Sequence, residues 1–124
     1  MGSSGCIFCN PEREILAENA SALAFLDSYP VSQGHVLVVP RRHVVTVWDL
    51  RDDEYAGCFD LVRNARTTIE SRHRPDGFNI GVNCGEAAGQ TVLHAHIHLI
   101  PRYRGDVPNP RGGVRFVIPH KGHY

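Results

Sequence analysis

Residues 94–100 read His94-Ala95-His96-Ile97-His98-Leu99-Ile100, and the alternation in this stretch decides the fold class. Along a strand successive side chains point to opposite faces. His94, His96 and His98 therefore share one face, and Ala95, Ile97 and Leu99 share the other. The apolar face belongs against a core, which turns the three imidazoles toward a cavity or solvent. Histidine is neither cheap to bury nor a strong strand former, so three in register need a chemical reason.

Working outward, residues 91–101 are predicted as one strand, preceded by a small-residue loop over 85–89 and a strand over 78–84. Upstream, Asp52, Asp53 and Glu54 suit the positive end of a helix dipole. Apolar residues then recur at Tyr55, Cys58, Phe59, Val62, Ala65 and Ile69 with the 3.6-residue period of a helix. Arg72, His73 and Arg74 close that helix before Pro75 and Gly77. Residues 23–27 and 35–40 read as antiparallel neighbours joined through turns at Tyr29-Pro30 and Gln33-Gly34. Residues 114–119 are expected to add a short strand. Several strands around one long helix give an α+β class with a mostly antiparallel sheet of about five strands. Residues 1–5 are small and polar and are expected to be a frayed tail or an appended scar. Residues 6–124 are expected to form one domain.

The chain has 124 residues and a mass of 13.8 kDa, enough to bury a core without disulfides. Thirteen basic and thirteen acidic residues cancel, which argues against non-specific binding to a nucleic-acid backbone. No apolar run is long enough to span a membrane and no leader pattern opens the chain, so a cytoplasmic location with no membrane partner is expected. Four cysteines do not make a secreted disulfide scaffold.

Two chemistries compete for the histidines. Two at i and i+2 can share a zinc ion, but the outer pair stands about 13 Å apart on a strand, too far for one ion. Alternatively, a neutral imidazole attacks phosphorus while an adjacent protonated one stabilises the oxyanions. The preceding segment, Asn83 to Thr91, favours the second reading. It offers side-chain amides, a hydroxyl and glycines with exposed backbone N–H groups, all neutral donors suited to an anion. Asp27, a lone carboxylate ending an apolar strand, fits a diol or simply initiates a turn. Cys6-x-x-Cys9 reads as a zinc knuckle, a redox pair or coincidence. Asn10-Pro11 follows it and no βαβ unit surrounds it, which disfavours the redox reading.

The segment Gly89-Gln90-Thr91-Val92-Leu93-His94-Ala95-His96-Ile97-His98-Leu99-Ile100 resembles the signature of the histidine triad (HIT) family. Gly34 to Pro40 with Arg41-Arg42-His43 resembles that family's other characteristic segment. The resemblance implies a dimer-forming nucleotide hydrolase or transferase acting at an α-phosphate. By position, His96 is the nucleophile and His98 binds phosphate oxygens. Asn83, Gly89, Gln90 and Thr91 match the phosphate-contacting loop, with Thr91 near the leaving group. Asp27 matches the ribose-binding carboxylate, and Phe8 and Phe25 lie where the family packs the base, expected to be adenine, though a core role suits both equally. Bacterial HIT proteins with a Cys-x-x-Cys knuckle imply a structural zinc site of Cys6, Cys9, His43 and His94. His35 partners the first triad histidine in some branches.

Gln90-Thr91 and Ile100-Pro101-Arg102 resemble the branches that cleave dinucleoside polyphosphates such as diadenosine tetraphosphate. Asn83 resembles the phosphoramidase branches, which cleave AMP-amines. Two other classes of function compete with hydrolysis. A nucleotide-binding sensor gains nothing from His96, and a metal-storage or redox module leaves His98 and the Gly89 loop without a task. The tail cations Arg102, Arg104, Arg111, Arg115 and Lys121 either meet a polyphosphate or leaving group or are solvated.

Overall fold

A computed structural model describes residues 5–124, so the expectation for the tail lies almost wholly outside the described residues. Five strands form one antiparallel sheet: β1 (Ala17–Glu18), β2 (Ala22–Leu26), β3 (Val36–Pro40), β4 (Gly77–Val82) and β5 (Ile97–Arg102). Their spatial order is β1-β2-β3-β5-β4. The helix α1 (Asp52–His73) packs across one face of the sheet.

Alternation sorts the two faces. Ala22, Ala24, Val36, Val38, Ile97 and Leu99 point toward α1 and are buried with Cys58, Leu61, Val62, Ala65 and Ile69. Phe25, Leu37 and Val39 point the other way and are covered by Phe8 from the N-terminal knuckle. Opposite Leu37 in register lies His98, with Gly81 on its other side. The face covered by the knuckle therefore carries the last triad histidine, and α1 supports the site from behind.

The helix begins with Asp52, Asp53 and Glu54 as expected. Glu54 is nevertheless buried, accepting hydrogen bonds from Arg42 Nε and Nη2 at 3.0 and 2.8 Å and from the Arg51 backbone N–H at 2.8 Å. Those bonds hold its carboxyl down to about 2. Arg74 ends the helix in a left-handed conformation at φ 52°, and Pro75 cannot continue it. The buried stripe is rotated from the expected one. Leu61 is fully buried, whereas Phe59 is 43% exposed and stacks on Tyr55.

Two further expectations are corrected. The strand expected over 91–101 begins only at Ile97. Residue 95 donates its backbone N–H to Val44 O instead of a neighbouring strand, so the chain crosses over residues 43–45 before entering the sheet. No strand forms over 114–119. Gly112 and Gly113 take positive φ, and Pro119 lacks an N–H, so the segment coils into 3-10 turns at Gly113–Val117 and Pro119–Lys121. The fifth strand is β1, only two residues long. Gly34 is required twice over, because its φ is +89° and a Cβ there would press on His73, Ile69 and Pro101.

Candidate active site and metal centre

The knuckle, the turn after β3 and the chain entering β5 meet at four side chains. The ligand atoms of Cys6, Cys9, His43 and His94 all lie within 4.8 Å of one another. His94 Nδ1 is 3.4 Å from Cys6 Sγ, 3.4 Å from Cys9 Sγ and 3.1 Å from His43 Nδ1, and Cys9 Sγ is 3.2 Å from His43 Nδ1. A tetrahedral zinc site with ordinary bond lengths has ligand–ligand edges of roughly 3.3–3.8 Å, so side chains at 3.1–3.4 Å need only a slight expansion to hold the ion. The tautomer fits as well. His94 Nε2–H donates to Pro40 O at 2.8 Å, which leaves a lone pair on Nδ1 facing the sulfurs. Burial, more than any neighbour, pushes the His94 pKa down and so favours the neutral, ligating form. The two cysteines are not joined to each other.

Beside this cluster opens a cleft of about 340 Å³, lined among others by Phe8, Asp27, Asn83, Thr91, His96 and His98. His96 is 8% exposed, and its Nδ1–H donates to the carbonyl oxygen of His94 at 2.8 Å. Its lone pair is therefore on Nε2. The edge of Phe8 packs against the His96 ring at 5.0 Å between centroids, which limits the ring's rotation. The side chains of Asn83 and Thr91 make no hydrogen bond among the described residues. Asp27 takes part in a turn and also stands at the cleft wall. Oδ1 accepts the Tyr29 backbone N–H at 2.9 Å in a turn, while the side chain also lines the cleft.

His98 sits at the far wall. Its pKa is lowered to about 4, mainly by burial and then by the neighbouring His96 and His35. Burial thus disfavours the protonated form of the His98 ring. His35 does not reach the first triad histidine. Its Nε2 lies 3.0 Å from His98 Nδ1 and 3.5 Å from Asp27 Oδ2.

Several expected contacts are absent. Phe25 is fully buried behind Phe8 and does not line the cleft, because its β2 position pairs with Leu37 beneath the knuckle. Gly89 and Gln90 also stand outside the cleft wall. The backbone N–H groups of Ala88, Gly89 and Gln90 turn inward to Gly85 O, Glu86 O and Gly85 O. The Gln90 side chain, 4% exposed, accepts from Gly85 N–H and donates to Val45 O and Val92 O. It holds the loop together and is not a free donor. The tail cations are largely engaged too. Arg102 pairs with Asp106 and Asn79, Arg104 lies near Asp76, and Arg111 and Arg115 lie over the ring of Tyr124.

The HIT domain family matches residues 10–105 of the chain, the span that includes the sheet, the helix and all three triad histidines. The chain belongs to the HIT family. It is 38% identical over 111 residues to Protein hit of Bacillus subtilis, covering 84% of this chain and 76% of that protein. It is 39% identical over 93 residues to an AP-4-A phosphorylase of Mycobacterium tuberculosis, covering 74% of this chain but only 48% of that longer protein. Its fold superposes with a TM-score of 0.74 on a Zn-bound histidine triad family protein from Mycobacterium smegmatis. That structure is 32% identical, with 94% of this chain and 92% of the other covered. Within this HIT chain the Cys6, Cys9, His43 and His94 cluster is suited to hold a metal ion, and the triad divides between that cluster and the cleft.

Proposed function

We propose that this protein hydrolyses a nucleotide linkage at the α-phosphorus through a covalent nucleotidyl-histidine. The carrying observation is His96. Its proton is tied to the His94 carbonyl, which leaves Nε2 to act as nucleophile at the cleft. In this reading Nε2 attacks the α-phosphorus in line, the P–N bond forms, and the bond to the leaving group breaks. Thr91 passes a proton to the departing atom. Water then attacks the same phosphorus and returns a proton to Thr91, the P–N bond to His96 breaks, and the mononucleotide leaves. His98 and Asn83 hold the non-bridging oxygens where charge develops. Asp27 takes the ribose hydroxyls, and Phe8 packs the adenine. Gln90 and Gly89 serve the same site by shaping the loop that carries Thr91.

We read the Cys6, Cys9, His43 and His94 site as structural zinc. Four protein ligands leave no open position for a water, so the ion fixes the knuckle to the β5 approach and takes no part in the displacement. Residues 6–124 would then form one domain, working on a cytoplasmic nucleotide with no nucleic acid or membrane partner. We also propose a homodimer, supported by β4, an edge strand whose outer side pairs with no other strand among the described residues.

The leading substrate is a dinucleoside polyphosphate, as the likeness to the phosphorylase supports. One observation favours the phosphoramidate alternative. A hollow of about 860 Å³ adjoins His98 on the side away from Phe8. It is walled by Val31, Ile100, Val114, Phe116 and Val117 and carries no Lys or Arg. That lining suits an apolar amine better than a second polyphosphate arm. Measuring AMP release from diadenosine tetraphosphate and from an AMP-amine side by side tests the proposal. Turnover of either supports α-phosphorus hydrolysis, the faster one names the class, and turnover of neither refutes it.

A further inference from the structure

His35 lies outside the described chemistry, is buried, and is bonded on both ring nitrogens. The Val31 backbone N–H donates to His35 Nδ1 at 3.1 Å. A backbone N–H cannot accept, so Nδ1 must be bare and the single proton of neutral His35 must sit on Nε2. That proton faces His98 Nδ1 at 3.0 Å, with Asp27 Oδ2 second at 3.5 Å. Whichever acceptor takes the larger share, a proton on His98 Nδ1 would meet the proton of His35 head-on. His98 Nδ1 must therefore be bare as well. Its own proton is left on Nε2, the far nitrogen of a ring that lines the cleft.

We propose that His35 is a positioning residue that sets the tautomer of His98, so that neutral His98 presents an Nε2–H donor to the phosphate. The chain of cause starts in the turn before β3. Val31 N–H fixes His35, and His35 fixes His98. The β3–β5 register supplies the geometry, since Val36 pairs with Leu99 and Leu37 with His98, which puts His35 and His98 on one face as diagonal neighbours. The relay matters because burial disfavours the charged form of both rings. A neutral imidazole has one N–H, and the wrong tautomer would turn a lone pair toward an anion. The same argument weighs against a metal at Asp27, His35 and His98, because His35 Nε2 is protonated and has no lone pair to give.

This inference builds on the proposed reaction but is tested separately from it. Long-range ¹H–¹⁵N NMR of the imidazoles at pH 7 reports each tautomer without any substrate. His98 is expected as the Nε2–H form with bare Nδ1, and an Nδ1–H form in the wild type would overturn the proposal. The second test compares His35→Leu, which removes the donor, with His35→Gln, which can restore an N–H near the Nε2 position. His35→Leu should lose the single-tautomer His98 signal and about tenfold or more in kcat, with KM within about threefold, and His35→Gln should recover most of the loss. A His35→Leu protein with wild-type tautomer and kcat, or a His35→Gln protein as impaired as His35→Leu, contradicts the relay. A correct His98 tautomer in a protein that turns over no nucleotide would defeat the proposed reaction and leave the relay standing.

Discussion

The carbonyl oxygen of His94 accepts the Nδ1 proton of His96 at 2.8 Å, while the His94 ring faces the two cysteines of the knuckle. One residue thus joins the two halves of the site. Its ring closes the Cys/His cluster, and its backbone decides which nitrogen of His96 is free to react. A disturbance at the cluster should reach the nucleophile through a shift of that carbonyl, not through a loss of chemistry at the metal.

Purified protein is therefore expected to hold about one zinc per chain by elemental analysis. Cys6→Ser or Cys9→Ser should release it and lower Tm by roughly 10 °C, since a ligand bound only by the folded state stabilises that state. AMP affinity should fall less steeply than metal content. Protein prepared without chelator and found free of zinc would remove the structural site.

Gln90→Ala is expected to cost about 2 kcal/mol of stability in denaturant melts. The substitution leaves Gly85 N–H, Val45 O and Val92 O without their side-chain partner. Because Thr91 adjoins the same loop, kcat should fall as well. A neutral effect on both would show that the loop is held by other contacts.

Acid should weaken the fold before the carboxylates titrate. The folded-state pKa of His98 is lowered, from an ordinary 6.5 to about 4, chiefly by burial, and those of His35 and His94 are lowered in the same direction. The unfolded chain binds these protons first. The contribution is complete above about pH 6.5, is lost as pH falls toward 4, and amounts for His98 to at most roughly 3 kcal/mol. Urea melts at pH 7 and pH 4.5 measure the slope, and His98→Asn should flatten part of it. A variant with an unchanged slope would show that His98 does not carry it.

Light scattering at micromolar concentration should report twice the chain mass of 13.8 kDa. A charge on the exposed part of the β4 edge, such as Ile80→Lys, should shift the population to monomer. A wild-type monomer would remove the dimer from the account.

What was legible in the sequence was local. The alternation over 94–100 sends Ala95, Ile97 and Leu99 into the core packed on α1 and the histidines to the other face, even though His94 and His96 are buried as well and the strand itself starts at Ile97. The Cys-x-x-Cys spacing and the capped, periodic α1 are also readable over a few turns of chain. The rest depended on contacts between distant residues. His35 and His98 are 63 positions apart, and only the β3–β5 register brings them together. Gln90 has the same polarity whether it faces an anion or the loop's own backbone, so packing alone decides its role. β1 is too short for any periodicity, and the tail's 3-10 turns come from glycines closing on one another. There Gly112 approaches Gly122 O so closely that a Cβ could not fit.

The central claim is that His96 Nε2 becomes bonded to phosphorus. Rapid acid-free quench of the protein with a radiolabelled dinucleoside polyphosphate and a radiolabelled AMP-amine, followed by peptide mass spectrometry, tests it directly. The account predicts a transient nucleotidyl group on His96, absent in His96→Ala. That variant should lose turnover by at least about 10⁴-fold and still bind AMP within about threefold. A wild type that turns over while never carrying label on His96, or a His96→Ala protein with substantial activity, would contradict it.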